Sequence, residues 1–370
     1  MRLGLISKSR LNKPLPYCPC ASMNLLTQLL AIPSPTGHEA EKIKFIRQWV
    51  LSQCPNATIL CDTADGLIIQ GPVNQGPHIA LVGHTDVVPK WFEPYDQAGK
   101  RYGAGASDMQ AGLAVMMQTL ATVFETHSVS FIAYNREEDT PLVNNGLYGL
   151  RQTMPDYFRS IDFAIVAEPT NNTIQLGCVG SIHYTVTVPG KAAHSARPWD
   201  GTHALYAALP LIQALADQAP IEHTVMGVNF YDVMHITESQ CEPGRTTIPG
   251  QWQANINYRY APVYSMQQAE ADGRSWIQRH APTARVVVSD HAPAGALLDS
   301  DVCQQFIAAT GVPVEAKQAW TDVAQFAEMG IPAINYGPGL TAQAHRPDEY
   351  VVLADIDAYT QTLMRALQIL

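Results

Sequence analysis

The chain has 370 residues, of which 46% are hydrophobic and 15% charged. That is enough apolar content for a sizeable core, and the length suggests two domains and excludes wholesale disorder. Lys and Arg total 23 against 33 Asp and Glu, a net charge of −10, the opposite of the balance a non-specific nucleic-acid binder carries.

Residues 1–22, MRLGLISKSRLNKPLPYCPCAS, are basic and poorly patterned. They lack the sustained apolar run of a secretory signal. The expectation is a loose, disordered extension, or one misassigned from an upstream start codon, with the fold beginning at Met23. No apolar run approaches the roughly 20 residues that cross a bilayer, so no membrane association is expected. Seven Cys, at positions 18, 20, 54, 61, 178, 241 and 303, form no pair of CxxC units. Scattered, odd-numbered cysteines point to reduced thiols in a cytoplasmic protein.

Helices are expected over 23–30 and 39–53. In the second, Ile43, Ile46 and Val50 share one face beside Trp49. The intervening AIPSPTGHEAE is punctuated by Pro33, Pro35 and Gly37 as a turn. HIALVGH at 78–84 is a short continuous apolar run, which fits a strand buried on both faces. A buried helix is expected over 109–124, a strand over 128–135, a helix over 146–154 and a strand over 161–169. Alternation of strand and helix implies an α/β layer with a mostly parallel sheet flanked by helices.

The pattern then changes. SIHYTVTVPG at 181–190 alternates and is rich in Thr and Val, as a half-exposed strand is. A helix near 202–217, strands near 233–239 and 251–260, a helix near 265–280 and a strand over 284–290 complete a βαββαβ order, an α+β sandwich. After about 292 the first style returns, with a helix near 300–310, the strand IPAINYG and a helix over 353–369. The expected organisation is a split catalytic domain, 23–178 and 291–370, interrupted by an inserted domain, 179–290.

The ends of the buried strands carry the chemistry. The first ends at His84, with Asp86 two residues on. The second runs into Glu137 and Glu138, the third into Glu168, and the last leads to His345; YGAGASD ends at Asp108. In an open α/β sheet the carboxyl ends of the strands share one edge, and sites form there. Singly, each residue has an ordinary reading: a packed or exposed His, a solvated Glu pair. Together at strand ends they argue for a site. Imidazole and carboxylate without thiolate suit divalent zinc, or cobalt or manganese. His84 with Glu168 can hold one ion and Glu138 with His345 another, Asp108 bridging, while Asp86 orients the His84 ring. Of the adjacent Glu137 and Glu138, one ligates and the other stays free to take a proton from water.

GHTDVVP, YGAGASDMQAGLAVM, NREED, VAEPT, AAHSARP and AHRPDEYV, in this order and spacing from about Met23 to the C-terminus, resemble the motifs of the aminoacylase and desuccinylase family of co-catalytic metallopeptidases. VAEPTNNTIQLGCVGS, HSARPW, NINYRYAP and WTDVAQFAEMGIPAINYGPG look most like its desuccinylases, in their actinobacterial form. The resemblance implies two divalent metal ions held by His84, Asp108, Glu138, Glu168 and His345, and a cis peptide after the bridging Asp108. It also implies Glu137 as general base and Asp86 as its supporting carboxylate. It further implies a homodimer built through the inserted domain, His194 reaching the partner's site to stabilise the oxyanion. The implied reaction is hydrolysis of N-succinyl-LL-2,6-diaminopimelate to succinate and LL-2,6-diaminopimelate, a step in making lysine and diaminopimelate. Other readings are a deacylase of another acyl amino acid such as acetylornithine, a dipeptidase or carboxypeptidase, and a non-catalytic binding protein on the same fold.

The chain departs from that family where substrates bind. Many members carry Arg in the stretch matched by Gly177, Cys178, Val179 and Gly180, and Asn where this chain has Thr247. Their Thr-Ser turn reads Trp320-Thr321-Asp322 here. Arg259 matches a position that binds substrate carboxylate, and Arg197 and Arg346 can add positive charge.

Overall fold

A computed structural model describes residues 19–88, 90–138, 141–242 and 244–370. The chain opens with helices α1 (Pro19–Leu30) and α2 (Ala40–Gln53), then the hairpin β1 (Thr58–Thr63) and β2 (Gly66–Gln70), and β3 (Ile79–His84). Short strands β4 (Tyr95–Gln97) and β5 (Lys100–Tyr102) precede α3 (Ala111–Val123), β6 (Val129–Tyr134), α4 (Gly146–Thr153), α5 (Pro155–Arg159), β7 (Phe163–Val166) and β8 (Ile174–Leu176). The second region comprises β9 (Gly180–Pro189), β10 (Ala193–His194), α6 (Ala204–Asp217), β11 (Ile221–Val225), β12 (Val228–Cys241), β13 (Thr247–Ile248), β14 (Gln251–Tyr260), α7 (Met266–His280) and β15 (Arg285–Ala292). The chain closes with α8 (Asp301–Thr310), β16 (Val314–Ala316), α9 (Val323–Glu328), β17 (Ala333–Asn335), β18 (Tyr350–Val352) and α10 (Leu353–Leu367).

Eight strands form one sheet in the order β1-β2-β6-β3-β7-β17-β8-β16. Its central four, β6, β3, β7 and β17, are all parallel, while β1, β2 and the β17–β8 pair are antiparallel. The sheet is therefore mixed at its flanks and parallel where it is most buried. In β3, Ile79 and Leu81 face a core shared with α1, α2, α3, α8 and α10, and Ala80 and Val82 face a second core with α4, α5 and α9. Burial on both faces explains the continuous apolar run.

A second, antiparallel sheet has the order β11-β12-β14-β9-β15. Ile182, Tyr184, Val186 and Val188 of β9 alternate inward against α6 and α7, and the residues between them stay half-exposed or turn outward. The βαββαβ order is present, with one strand more than expected: β11 pairs with an extended β12 through a turn at Met226 and Gly227, both at positive φ.

The helix expected to begin at Met23 begins at Pro19 instead; the rest of the expected extension, residues 1–18, lies outside the described residues. Cys54, Cys61, Cys178, Cys241 and Cys303 are free thiols. Among the described residues no helix is long and apolar enough to cross a membrane.

Candidate active site

The parallel register sets the site. His84 pairs in register with Tyr134 across β3 and β6, Val82 with Val166 across β3 and β7, and Asn335 with Val166 across β17 and β7. The carboxyl ends of these strands are therefore level, and the loops leaving them converge. His84 is the last residue of β3, Glu137 and Glu138 follow β6, Glu168 follows β7, and His345 lies in the loop after β17.

Asp108 enters from an irregular turn, Ala106–Gln110, ahead of α3, and the Asp108–Met109 peptide is cis. Gly105 starts that turn at φ 79, and a Cβ there would lie 2.2 Å from a Val87 methyl, so only glycine fits. Glu349 holds the turn in place. This fully buried carboxylate accepts from the backbone N–H groups of Gly105, Ser107 and Asp108, each at 2.8 Å.

The His84 Nδ1–H donates to the Asp86 carbonyl at 3.0 Å, which aims Nε2 at Asp108 Oδ1, 3.2 Å away. Asp86 is buried and accepts at both oxygens, from the N–H groups of Glu137 and Glu138 at 3.0 Å and from the Thr36 hydroxyl at 3.0 Å. Asp86 thus fixes the imidazole through its backbone carbonyl and the paired glutamates through its carboxylate. Arg136 just before them has φ 55, and its N–H donates to Glu39 at 3.1 Å. His345 Nε2 lies 3.0 Å from Glu138 and 3.7 Å from Asp108.

His84, Asp108 and Glu138 bring ligand atoms within 4.8 Å of one another. Glu168 is buried beside them, and its Oε1 has no hydrogen-bond partner. Burial, then the Asp108 charge, pushes the Glu138 carboxyl up from its ordinary range and Glu168 up to about 7. Burial, then Glu138, holds Glu137 well above that range. Burial opposes a charge on His84, but hydrogen bonds to Asp108 and Asp86 outweigh it and raise its pKa well above the ordinary imidazole value. Four acidic groups crowded around two imidazole nitrogens are an arrangement that divalent cations relieve, and the orphaned Glu168 oxygen is a donor awaiting one. The residues present fit a metal centre.

A cleft of about 730 Å³ opens over this cluster. Its floor includes Asp108, Glu137, Glu138, Glu168 and His345, and the second sheet contributes Ser181, His183 and Arg259. Lys317, Trp320 and Thr321 form another wall. Arg259 is half-buried and its Nε donates to Asn257 at 2.9 Å. His194 and Thr247 do not line the cleft of their own chain: they are partners in the β10–β13 ribbon, and both are exposed. Arg197 sits next to that ribbon, 3.7 Å from Asp200, and Arg346 turns to Asp348 on the surface.

Sequence reasoning passed over Glu349, Lys317, Glu39 and Asp322. Asp322 is fully buried behind the site and accepts from Tyr134 at 2.6 Å and from Gln325 and Asn145. Only Asp322, an acidic residue in the mostly apolar WTDVAQF, left a signal, since buried charges are rare unless they are paired.

The family model described as peptidase family M20/M25/M40 matches residues 80–369. A putative succinyl-diaminopimelate desuccinylase of Mycobacterium tuberculosis is 31% identical over 93% of this chain and 97% of its own length. A succinyl-diaminopimelate desuccinylase of Corynebacterium glutamicum is 33% identical over 88% of this chain and 90% of its own. Among solved structures, a tripeptidase from Staphylococcus aureus superposes with a TM-score of 0.78 at 16% identity, covering 95% of this chain and 98% of that one. A dinuclear metal-binding peptidase of family M20 from Bacillus subtilis does so at 0.69 and 16%, with the same coverage. Those two likenesses concern the fold.

Proposed function

The chain belongs to peptidase family M20/M25/M40 and is an amide hydrolase, and from that premise we propose that its substrate is N-succinyl-LL-2,6-diaminopimelate, cleaved to succinate and LL-2,6-diaminopimelate. The observation that carries the reading is a carboxylate left free of ligand duty, Glu137, beside the cluster of His84, Asp108 and Glu138 at the floor of a cleft whose walls include Lys317 and Arg259. The desuccinylases of M. tuberculosis and C. glutamicum, matched over nearly their whole length, support the substrate.

In this reading two divalent ions, most simply zinc, with cobalt or manganese as alternatives, would be held by His84, Asp108, Glu138, Glu168 and His345. When bound, they supply Lewis acidity to the scissile carbonyl and to the attacking water. Glu137 removes a proton from that water and delivers it to the departing amine nitrogen. Asp86, with both oxygens engaged, keeps Glu137 and Glu138 in their separate roles. Arg259 pairs with a substrate carboxylate, for which a planar guanidinium is suited.

His194 is proposed to act in the site of a second copy, donating to the developing oxyanion. Its exposure on a ribbon outside its own cleft is consistent with that, as are the exposed Trp199, Tyr206 and Leu209 nearby in sequence, which form apolar surface for a dimer contact. Thr247, its ribbon partner, and Arg197 would then meet substrate from the same side. The inserted region 179–290 is accordingly the proposed dimerisation domain and 23–178 with 291–370 the proposed catalytic domain. Free thiols are at home in the cytoplasm, where we place the reaction.

The test offers N-succinyl-LL-diaminopimelate and N-acetylornithine in parallel to zinc-loaded protein, with a chelator control, and follows free acid by mass spectrometry. Succinate release abolished by the chelator is the expected result. Hydrolysis of acetylornithine alone would overturn the substrate.

A further inference from the structure

We propose that Lys317 is a substrate-carboxylate anchor close to the reacting centre, and that with Arg259 it selects acyl amino acids bearing more than one carboxylate. The proposal rests on the acyl amino acid reading above and deepens it.

Lys317 follows β16 and is pinned by its own backbone. Its N–H donates to Leu176 at 3.3 Å and its carbonyl accepts from Val179 at 3.2 Å. The side chain is only 6% exposed, yet it borders the cleft. An ammonium taken out of water needs compensation. Here Nζ donates to the Pro169 carbonyl at 3.1 Å, and among the described residues it joins no ion pair. One neutral carbonyl takes one of three N–H donors. The remaining donors belong to a ligand that enters the cleft.

Placement says what that ligand carries. Lys317 is near enough to Asp108 and Glu168 for its charge to favour their ionised forms, but it donates to neither carboxylate, so its hydrogen bonds are not spent on them. Its backbone partners bracket Gly177 and Cys178, and neither these nor Val179 and Gly180 offers a charged side chain. Lys317 is therefore the cation this side of the cleft supplies, and Arg259 the cation supplied by the second sheet. Two cations from two walls match a substrate with at least two carboxylates. A lysine, with rotatable donors on a point charge, accepts a carboxylate without demanding one plane.

The experiment measures kcat and KM for Lys317→Met and Lys317→Gln on N-succinyl-LL-diaminopimelate. It repeats them on analogues in which each carboxylate in turn is a neutral carboxamide. Loss of one charge-assisted contact should raise KM about 10- to 100-fold with kcat nearly kept, and the penalty should vanish on the one analogue lacking the paired carboxylate. An equal penalty on every analogue, or a fall in kcat or bound zinc with KM kept, overturns the proposal and makes Lys317 a balance for Asp108 and Glu168. Calorimetric binding of succinate and of LL-diaminopimelate to the zinc-loaded proteins reads the same contact without turnover. If the unsubstituted protein hydrolyses none of these substrates, the substrate reading fails on its own. Weaker binding of one ligand in the Lys317 variants would still support the anchor, and unchanged binding of both would refute it.

Discussion

Glu349 offers the sharpest test of how the candidate metal centre is held. Its two oxygens accept three backbone N–H groups at 2.8 Å, those of Ser107 and Asp108 at Oε1 and that of Gly105 at Oε2. Replacing it with Ala strands three buried donors at about 1–3 kcal/mol each. Water entering the vacated space recovers part of that, so a loss of about 3–5 kcal/mol is expected. Glu349→Gln keeps Oε1 but turns an NH2 toward the Gly105 N–H, losing one bond, about 1–3 kcal/mol. Burial, then the Asp108 charge, pushes the Glu349 carboxyl up to about 8 against the pull of its three donors, so it holds the turn as an acceptor rather than as a charge. Urea unfolding followed by circular dichroism, in excess chelator, separates this effect from metal linkage. Zinc stoichiometry at neutral pH should fall in the order wild type, Gln, Ala, because Asp108 rides on the same turn. Equal stabilities for Ala and Gln, or an Ala variant losing under about 1 kcal/mol, would refute the view that this one carboxylate fixes the turn.

Two further outcomes are expected. Glu137→Gln and His194→Ala should each be inactive with zinc still bound, whereas a co-refolded mixture should regain activity, since a mixed dimer has one site with both residues intact; a mixture as dead as its parts removes His194 from the partner's site. The chelated protein should lose stability as pH rises from the ordinary glutamate range to about 7, because folding raises the pKa of Glu168, chiefly by burial, and the unfolded chain releases that proton first. A thermal-shift series with and without zinc checks this, and a chelated protein equally stable across that window would contradict it.

How much of this was legible in the sequence depends on what kind of pattern each part left. Continuous apolar runs gave β3, β6 and β7, and with them the edge where His84, Glu138 and Glu168 meet. The β1–β2 hairpin was missed because its two-residue turn, Ala64-Asp65, carries no glycine; Gly66, which opens β2, sits at φ 151, with Ala133 O only 2.4 Å from where a Cβ would be. Strands β8 and β16 are three residues long, too short for any periodicity. They matter because they place Lys317, whose role depends on contacts with residues more than a hundred positions earlier. Glu349 was invisible for the same reason: its partners are all backbone groups in a distant turn, and backbone partners leave no trace in side-chain chemistry.

The two kinds of miss have one physical origin. Ligand positions are read from strand ends because a parallel sheet converts sequence order into spatial order along one edge. The groups that hold those ligands rigid work through main-chain hydrogen bonds: Asp86 to the N–H groups of Glu137 and Glu138, Glu39 to that of Arg136, Glu349 to the Asp108 turn. Each of these is a buried carboxyl group facing backbone donors, so each steadies a loop, and Asp86, which its hydrogen bonds hold below the ordinary carboxylate range despite burial, also adds negative charge beneath the cluster. That choice deepens the need for cations above it. A site so built favours metal binding electrostatically and holds its candidate ligands by backbone geometry, while Lys317 and Arg259, the two cations proposed to recognise substrate, stand apart from that set.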